Sequence, residues 1–487
     1  MADTFQLPHT PIEALTLENG LRVILSVDRA IPVVSVAVYY DTGSRNEKVG
    51  RTGFAHLFEH MMFQGSENVP KAAHFQWISN AGGTMNGTTS SERTNYFETL
   101  PASQLPLALW LESDRMLSLK VTQENLDNQR SAVKEEKRLR IDNQPYVPGF
   151  LLADECIFSN HANAHSTIGS MEDLDAATVK DCQEFFRIYY APNNAVLSIV
   201  GDFDVDEART LVERYFASIP SQPPPPPVDV SEPAEVAVRQ QVYNDRFAPL
   251  PGFIIGWKVP PRRTRDSYAL SLALDVLVEG DSSRLYQVLV KEQESVVQIQ
   301  GGIDERRGPS AAFVFALPKP GNTPEQIRES IMGEIKRLAE GGPTDEEMLK
   351  LRNNLSNDAV RGRQSSLYRA QRLAEYALYD GDPELFNSEL GIYLGVSADE
   401  IREATKKYLD TDNKAILDII PAAEEGGEPA PADPEQPGEP TQPGAPPPQI
   451  PTSLESQTDV VPAKDAPMPP SGKIELPIVD VPGEPLQ

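Results

Sequence analysis

The chain has 487 residues, with 72 acidic against 44 basic side chains, a formal net charge of −28 and 39% hydrophobic residues. That excess of negative charge disfavours nucleic acid or an anionic membrane surface as a partner, because neutralising phosphates requires clustered Lys and Arg. The length admits two sizeable cores and a tail, and two cysteines in so long a chain, Cys156 and Cys182, exclude a disulfide framework.

The opening MADTFQLPHTPIEALTLENG has no basic start followed by an apolar run, and nowhere do eighteen apolar residues follow one another. Neither a secretory signal nor a membrane span is expected, which makes the cytoplasm the default compartment, with export the alternative if a signal segment is absent from this sequence. The Val-rich stretch VILSVDRAIPVVSVAVYYDTGSRNE then predicts strands, and an apolar helix follows. Inside that helix stands His56-Leu57-Phe58-Glu59-His60. Two imidazoles four residues apart with a carboxylate between them share one helix face. This H-x-x-E-H order is the inverzincin arrangement: His56 and His60 are candidate Zn²⁺ ligands, and Glu59 is the candidate base beside a zinc-bound water. Phe54, Leu57, Met61, Met62 and Phe63 would pack a core in any case. A buried imidazole or carboxylate without partners is costly, however, and packing alone does not account for the pattern.

Further along, Gly82-Gly83-Thr84-Met85-Asn86-Gly87-Thr88 combines glycines that admit another backbone with residues suited to an edge strand. Gly83, Thr84, Asn86 and Thr88 are therefore candidate contacts for an extended peptide substrate. A third ligand is expected from TQENLDNQRSAVKEEKRLR, residues 122 to 140, whose acids are Glu124, Asp127, Glu135 and Glu136. Leu126, Val133 and Leu139 suggest one helix face, and Gln129 and Glu136, seven apart, share a side. Spacing by itself does not separate Glu136 from Glu135. Cys156, in FLLADECIF, reads as an apolar helix position, and both cysteines are expected as buried thiols rather than partners of His161 and His165.

Pro223 to Pro227 form a stiff extended connector. It divides a zinc-bearing domain, 1–222, and a Pro-rich linker, 223–230, from a second domain, 231–420. A Pro/Glu-rich tail, 421–487, is too polar to bury a core, although Lys473 to Val481 recovers apolar character and would suit a partner's sheet edge. The second domain repeats the first: VYNDRFAPLPGFIIGWKVPPRRTRD precedes the apolar LALDVLVEGDSSRLY. Matching Gly65 with Gly280 sets Ser271, Leu274 and Asp275 opposite His56, Glu59 and His60, so the second half has no metal site. The expected class is α+β, with helices packed on one face of a mostly antiparallel sheet in each half.

Together with the zinc motif, the segments LENGLRVILSVDRAIPVVSVAVYYDTGSRNE, NAGGTMNGTTSSERTNYFETLP, YYAPNNAVLSIVGDFD and EGDSSRLYQVLVKE carry a resemblance to the pitrilysin-like inverzincins. That family includes mitochondrial processing peptidase and insulin-degrading enzyme, and the resemblance covers most of residues 12 to 420. It implies two related domains facing across a cavity, Zn²⁺ bound by His56, His60 and Glu136, Glu59 as general base, and endopeptidase activity on peptides or unfolded segments. Glu136 lies 76 residues beyond His60, the family's spacing, and Glu135 falls one short. The chain departs from the family at Gln129, where many relatives carry Glu; an amide still orients neighbours by hydrogen bonds but supplies no charge. It departs again at Lys291 and Gln298, where active members carry an Arg and a Tyr that contact the substrate carbonyl. The resemblance thus implies a heterodimer in which a homologous partner chain, itself without the zinc motif, supplies that pair. The rival reading is a non-catalytic structural or zinc-binding scaffold subunit.

Overall fold

The structure is a computed structural model that describes residues 7–422. The Pro/Glu-rich tail, with Lys473 to Val481, lies outside the described residues. Among the described residues eleven strands form two sheets. The first contains β1 (Glu13–Thr16), β2 (Arg22–Val27), β3 (Val33–Tyr40), β4 (Thr84–Thr89), β5 (Thr94–Pro101) and β6 (Ala195–Gly201). Their spatial order is β1-β2-β6-β3-β5-β4. The second contains β7 (Gln240–Asp245), β8 (Gly252–Val259), β9 (Val296–Asp304), β10 (Ser310–Pro318) and β11 (Ala415–Pro421), in the order β7-β11-β8-β10-β9. Each sheet has a single parallel pair, β2 with β6 and β7 with β11, the remaining neighbours being antiparallel. Apart from the extra β1, the two strand orders superimpose position by position, so the repeat read in the sequence is a repeat of topology.

Both sheets are covered on both faces, which corrects the expectation of helices on one. The physical sign is in β3, VVSVAVYY, and β6, AVLSIVG: β3 is buried from Val34 onward and β6 throughout, the continuous pattern of a strand with no wet face. Val34, Val36, Val38 and Tyr40 pack with helices of the first half, while Ala37, Tyr39, Val196 and Val200 pack against Ala370, Leu373 and Ala374 of the helix Ser366–Glu375, which belongs to the second half. The exchange is reciprocal. Helix α5 (Val147–Ile157), following α1 (Phe54–Met61), α2 (Ala73–Asn80), α3 (Leu105–Ser118) and α4 (Gln123–Lys137), sets Ala153, Cys156 and Ile157 against Ile254, Phe315, Leu417 and Ile419 of the second sheet. The Pro-rich connector therefore separates the two sheets in sequence, while each half contributes a helix to the other's back face.

Helix α1 lies against the first sheet with all eight residues buried, Leu57, Phe58 and Met61 entering the core, and α4 packs beside it. Thr122 caps α4, its hydroxyl accepting the Asn125 N–H. Leu126 and Val133 are buried as expected, but Leu139 is 55% exposed. After Lys137 the helix widens into a π-turn, Arg138–Asp142, which rotates Leu139 off the apolar stripe. No helix among the described residues is long and apolar enough to cross a membrane.

Candidate metal centre

Helix α1 begins at Gly53, whose φ of 81° and close approach to Ile168 and Gly169 leave no room for a side chain. Its first N–H groups are satisfied from a distance: the Glu47 carboxylate accepts from Gly53 N–H at 2.9 Å and from Ala55 N–H at 2.7 Å. A negative group is thereby placed at the positive end of the helix. Glu47 is buried, which pushes its carboxyl up, and His165 Nε2 lies 3.0 Å from it and opposes that shift. His165 in turn stacks on His161. These two histidines serve the start of the helix rather than a cysteine. Cys156 and Cys182 are free, and burial pushes the Cys156 thiol up to about 11 and the Cys182 thiol up to about 12, far from a reactive thiolate.

One turn into α1, His56 and His60 present their rings edge to face at 4.8 Å between centroids. Glu136 of α4 reaches across to both, its Oε2 lying 3.6 Å from His56 Nε2 and 3.3 Å from His60 Nε2. The three donor atoms all fall within 4.8 Å of one another. Ligands about 2.1 Å from a tetrahedral zinc stand about 3.4 Å apart, so both contacts to Glu136 match the edge of such a polyhedron. The polar atoms agree. Both ring nitrogens of His56 and the Nε2 of His60 are buried without a hydrogen-bond partner, a cost that a bound cation removes. Burial, with His60 alongside, pushes His56 down to about 3, holding it as the neutral imidazole that ligates metals. Burial alone would raise Glu136, but the two imidazoles and Arg140 outweigh it and hold the carboxyl below its ordinary range. Arg140 pairs with Glu136 Oε1 at 3.3 Å, on the oxygen not turned to the histidines. The donor set therefore fits a zinc with a further position for water.

The fold also makes the choice that spacing left open. The Glu135 side chain is 58% exposed and pairs with Arg138, that of Glu136 is 12% exposed, and Glu124 and Asp127 are exposed. Gln129 is buried on α4, and its amide donates to Asn128 Oδ1 at 2.6 Å. The orienting role behind the ligands expected of it is not seen in that contact.

Glu59 lies on the same face of α1, fully buried, and its Oε2 accepts a hydrogen bond from Thr89 Oγ1 at 2.5 Å. Thr89 ends β4, the edge strand of the first sheet. Gly83, just before β4, is half-buried, and along β4 Thr84 is exposed and Asn86 half-buried. A side chain at Gly83 would meet the backbone carbonyl of Thr99 at 2.8 Å, so glycine lets the chain close on its neighbour there. Thr88 departs from expectation. It is buried, its hydroxyl donates to Asn95 Oδ1 at 2.6 Å and accepts from Arg93, and it turns away from the edge. Thr89, Glu47 and Arg140 were not singled out by the sequence, and His165 entered only as a neighbour of Cys156; Thr89 alone left a signal there, since period-two alternation sets it on the face opposite Thr88.

In the second half, Lys291 is exposed with its Nζ over the Tyr286 ring, and Gln298 is half-buried on β9 beside Gln300. Ser271, Leu274 and Asp275 lie on the helix Arg265–Val278, and among the described residues no second set of metal donors is found.

Known proteins resemble this chain in sequence and in fold. Residues 22–166 match the family model described as Insulinase (Peptidase family M16), and residues 176–355 match the one described as Peptidase M16 inactive domain. The chain is 28% identical over 408 residues to "Zinc protease PqqE" of Helicobacter pylori, covering 83% of this chain and 92% of that protein. It is 24% identical over 428 residues to the "Probable mitochondrial-processing peptidase subunit beta, mitochondrial" of Arabidopsis thaliana, covering 83% and 78%. Among solved structures, that of a protease from Helicobacter pylori matches with a TM-score of 0.81 at 27% identity, over 85% of this chain and 100% of that one.

Proposed function

The chain belongs to peptidase family M16, and from that membership we propose that it is a zinc-dependent endopeptidase cleaving peptides or unfolded segments. The observation that carries the reading is the convergence of His56, His60 and Glu136, with unpartnered imidazole nitrogens, beside the buried carboxylate of Glu59. Zn²⁺, when bound by the three, supplies the Lewis acidity that activates water and polarises a peptide carbonyl. Glu59 takes the proton of the attacking water and passes it to the leaving amine. The outer edge of β4 receives the substrate main chain as an added strand, with Gly83, Thr84 and Asn86 along it. Residues 1–222 form the zinc-bearing domain in this reading and 231–420 the related one.

Lys291 and Gln298 bring neither a guanidinium nor a phenol to the substrate carbonyl. The catalytic form is accordingly a heterodimer whose second chain, homologous and without the zinc motif, contributes an Arg and a Tyr. The Arabidopsis relative's name as a subunit supports an assembly of this kind. The same two residues, with the description of the second matched model as inactive, favour a second reading as a non-catalytic scaffold subunit.

Metal analysis and cleavage of a quenched fluorescent peptide library, by the chain alone and with copurifying partners, separate these readings. Zinc at one per chain with hydrolysis that Glu59→Gln abolishes supports the peptidase; zinc without Glu59-dependent hydrolysis in either preparation supports the scaffold. Hydrolysis by the chain alone removes the need for a partner.

A further inference from the structure

We infer that Thr89 is the positioning residue of the reaction, a hydroxyl that holds the Glu59 carboxylate in the plane where it meets the attacking water. The inference rests on the reading of Glu59 as the base. Both residues are fully buried, and the Thr89 hydroxyl donates to Glu59 Oε2 at 2.5 Å. A Glu side chain has three rotatable bonds, and its rotamer freedom is lost only if something fixes the head group. On α1 the backbone fixes only where Glu59 starts, and Thr89 fixes where it ends. A base displaced by a fraction of an ångström transfers its proton less well, so an anchor behind the carboxylate acts on the chemical step and not on substrate affinity.

The anchor is itself held at the turn of the β4–β5 hairpin, from both halves of the molecule. Thr89 pairs in register with Thr94, whose hydroxyl donates to Thr42 O at 2.9 Å. Three residues beyond Thr89, the turn is gripped by the second half: the Arg307 backbone N–H donates to Glu92 at 3.2 and 3.0 Å, and its guanidinium donates to Asp41 at 3.0 and 2.6 Å. Arg45 closes the cluster from the first half, bonding both Glu92 and Asp41. Arg307 stands in the β9–β10 turn, the topological counterpart of the turn it grips. The strand proposed to receive substrate and the residue that aims the base are thus one continuous segment, and the metal-free half holds it in place.

The test compares zinc-loaded full-length Thr89→Val, which keeps shape without the hydroxyl, and Thr89→Ser, which keeps the hydroxyl, with wild type and Glu59→Gln, adding the partner chain where hydrolysis requires it. The expected result is a kcat for Thr89→Val lowered about tenfold to a hundredfold, the range of one hydrogen bond to a charged group. KM and zinc content stay unchanged, and Thr89→Ser returns to within about threefold of wild type. Crystal structures of wild type and Thr89→Val supply a readout independent of turnover: the Glu59 carboxylate is expected to leave its position in the Val variant. Unchanged kcat and an unmoved carboxylate in Thr89→Val, with Glu59→Gln inactive, overturn the inference and leave the base intact. Loss of zinc or folding in Thr89→Val that Thr89→Ser does not restore also overturns it, because the hydroxyl would then be merely structural. Full activity of Glu59→Gln removes the base and this inference together.

Discussion

In the first half, the helix after β3 carries two imidazoles and a carboxylate on a buried face, and α4 supplies a second carboxylate from across the gap. In the second half, the helix after β8 occupies the equivalent place with Ser271, Leu274 and Asp275. The one acid that remains there behaves differently from Glu136. Burial, reinforced by Glu279, pushes Asp275 up to about 7, and Lys350 opposes that shift without reversing it as the imidazoles and Arg140 do for Glu136. A carboxyl withdrawn from water beside other acids retreats towards its neutral form, whereas one facing several donors stays ionised and can ligate. The same strand order thus carries a candidate metal centre in one half and none in the other, and four side chains make the difference.

The sharpest way to break this comparison is at the base. Glu59→Gln is expected to lower kcat about 10²- to 10⁴-fold while zinc content is kept, as read by peptide cleavage and metal analysis; a loss under tenfold would remove Glu59 from the reaction. At the ligands, His60→Ala is expected to abolish stoichiometric zinc, whereas Asp275→Ala in the second half leaves it at one per chain, both measured by elemental analysis after dialysis. The exchanged helices are tested by Leu373→Ala. That side chain is fully buried against the first sheet although it belongs to the second half. The substitution is expected to cost about 2–5 kcal/mol, and hydrogen exchange should rise in β3 and β6, strands of the other half; exchange rising only in the second half would contradict the packing.

The smallest effect concerns the start of α1. Glu47 and the backbone carbonyl of His161 hold His165 above the ordinary histidine value against the opposing pull of burial. A raised histidine contributes stability that is full below about pH 6.5 and is lost as pH rises through the folded value. His165→Gln is therefore expected to narrow the difference in Tm between pH 6 and pH 8.5; an unchanged difference would show that the pair carries no such linkage.

Much of this was legible in the chain. His56, Glu59 and His60 sit within one turn and a half of a single helix, where spacing alone decides which side chains share a face. The repeat was legible for a similar reason, since paired strands and a following apolar helix leave a local pattern in each half. The sheet faces were harder to read. The continuous burial of β3 and β6 was visible as an apolar run, but a run says only that both faces are covered and not by what. The covering helix lies more than 150 residues away.

The sequence by itself placed His56, Glu59 and His60 on one helix face, singled out Glu136 through the family resemblance and showed the same succession of strands and apolar helix in each half, because these follow from periodicities over a few residues and from a resemblance spread along the chain. Tertiary structure alone decided that Glu47 caps α1, that the Thr89 hydroxyl bonds Glu59 while Thr88 turns away, and that each half covers the other's sheet. Each of these is a contact between segments far apart in the chain, and its geometry depends on how whole elements pack, including a π-turn that moved Leu139 off its stripe. Local spacing carries no record of such packing.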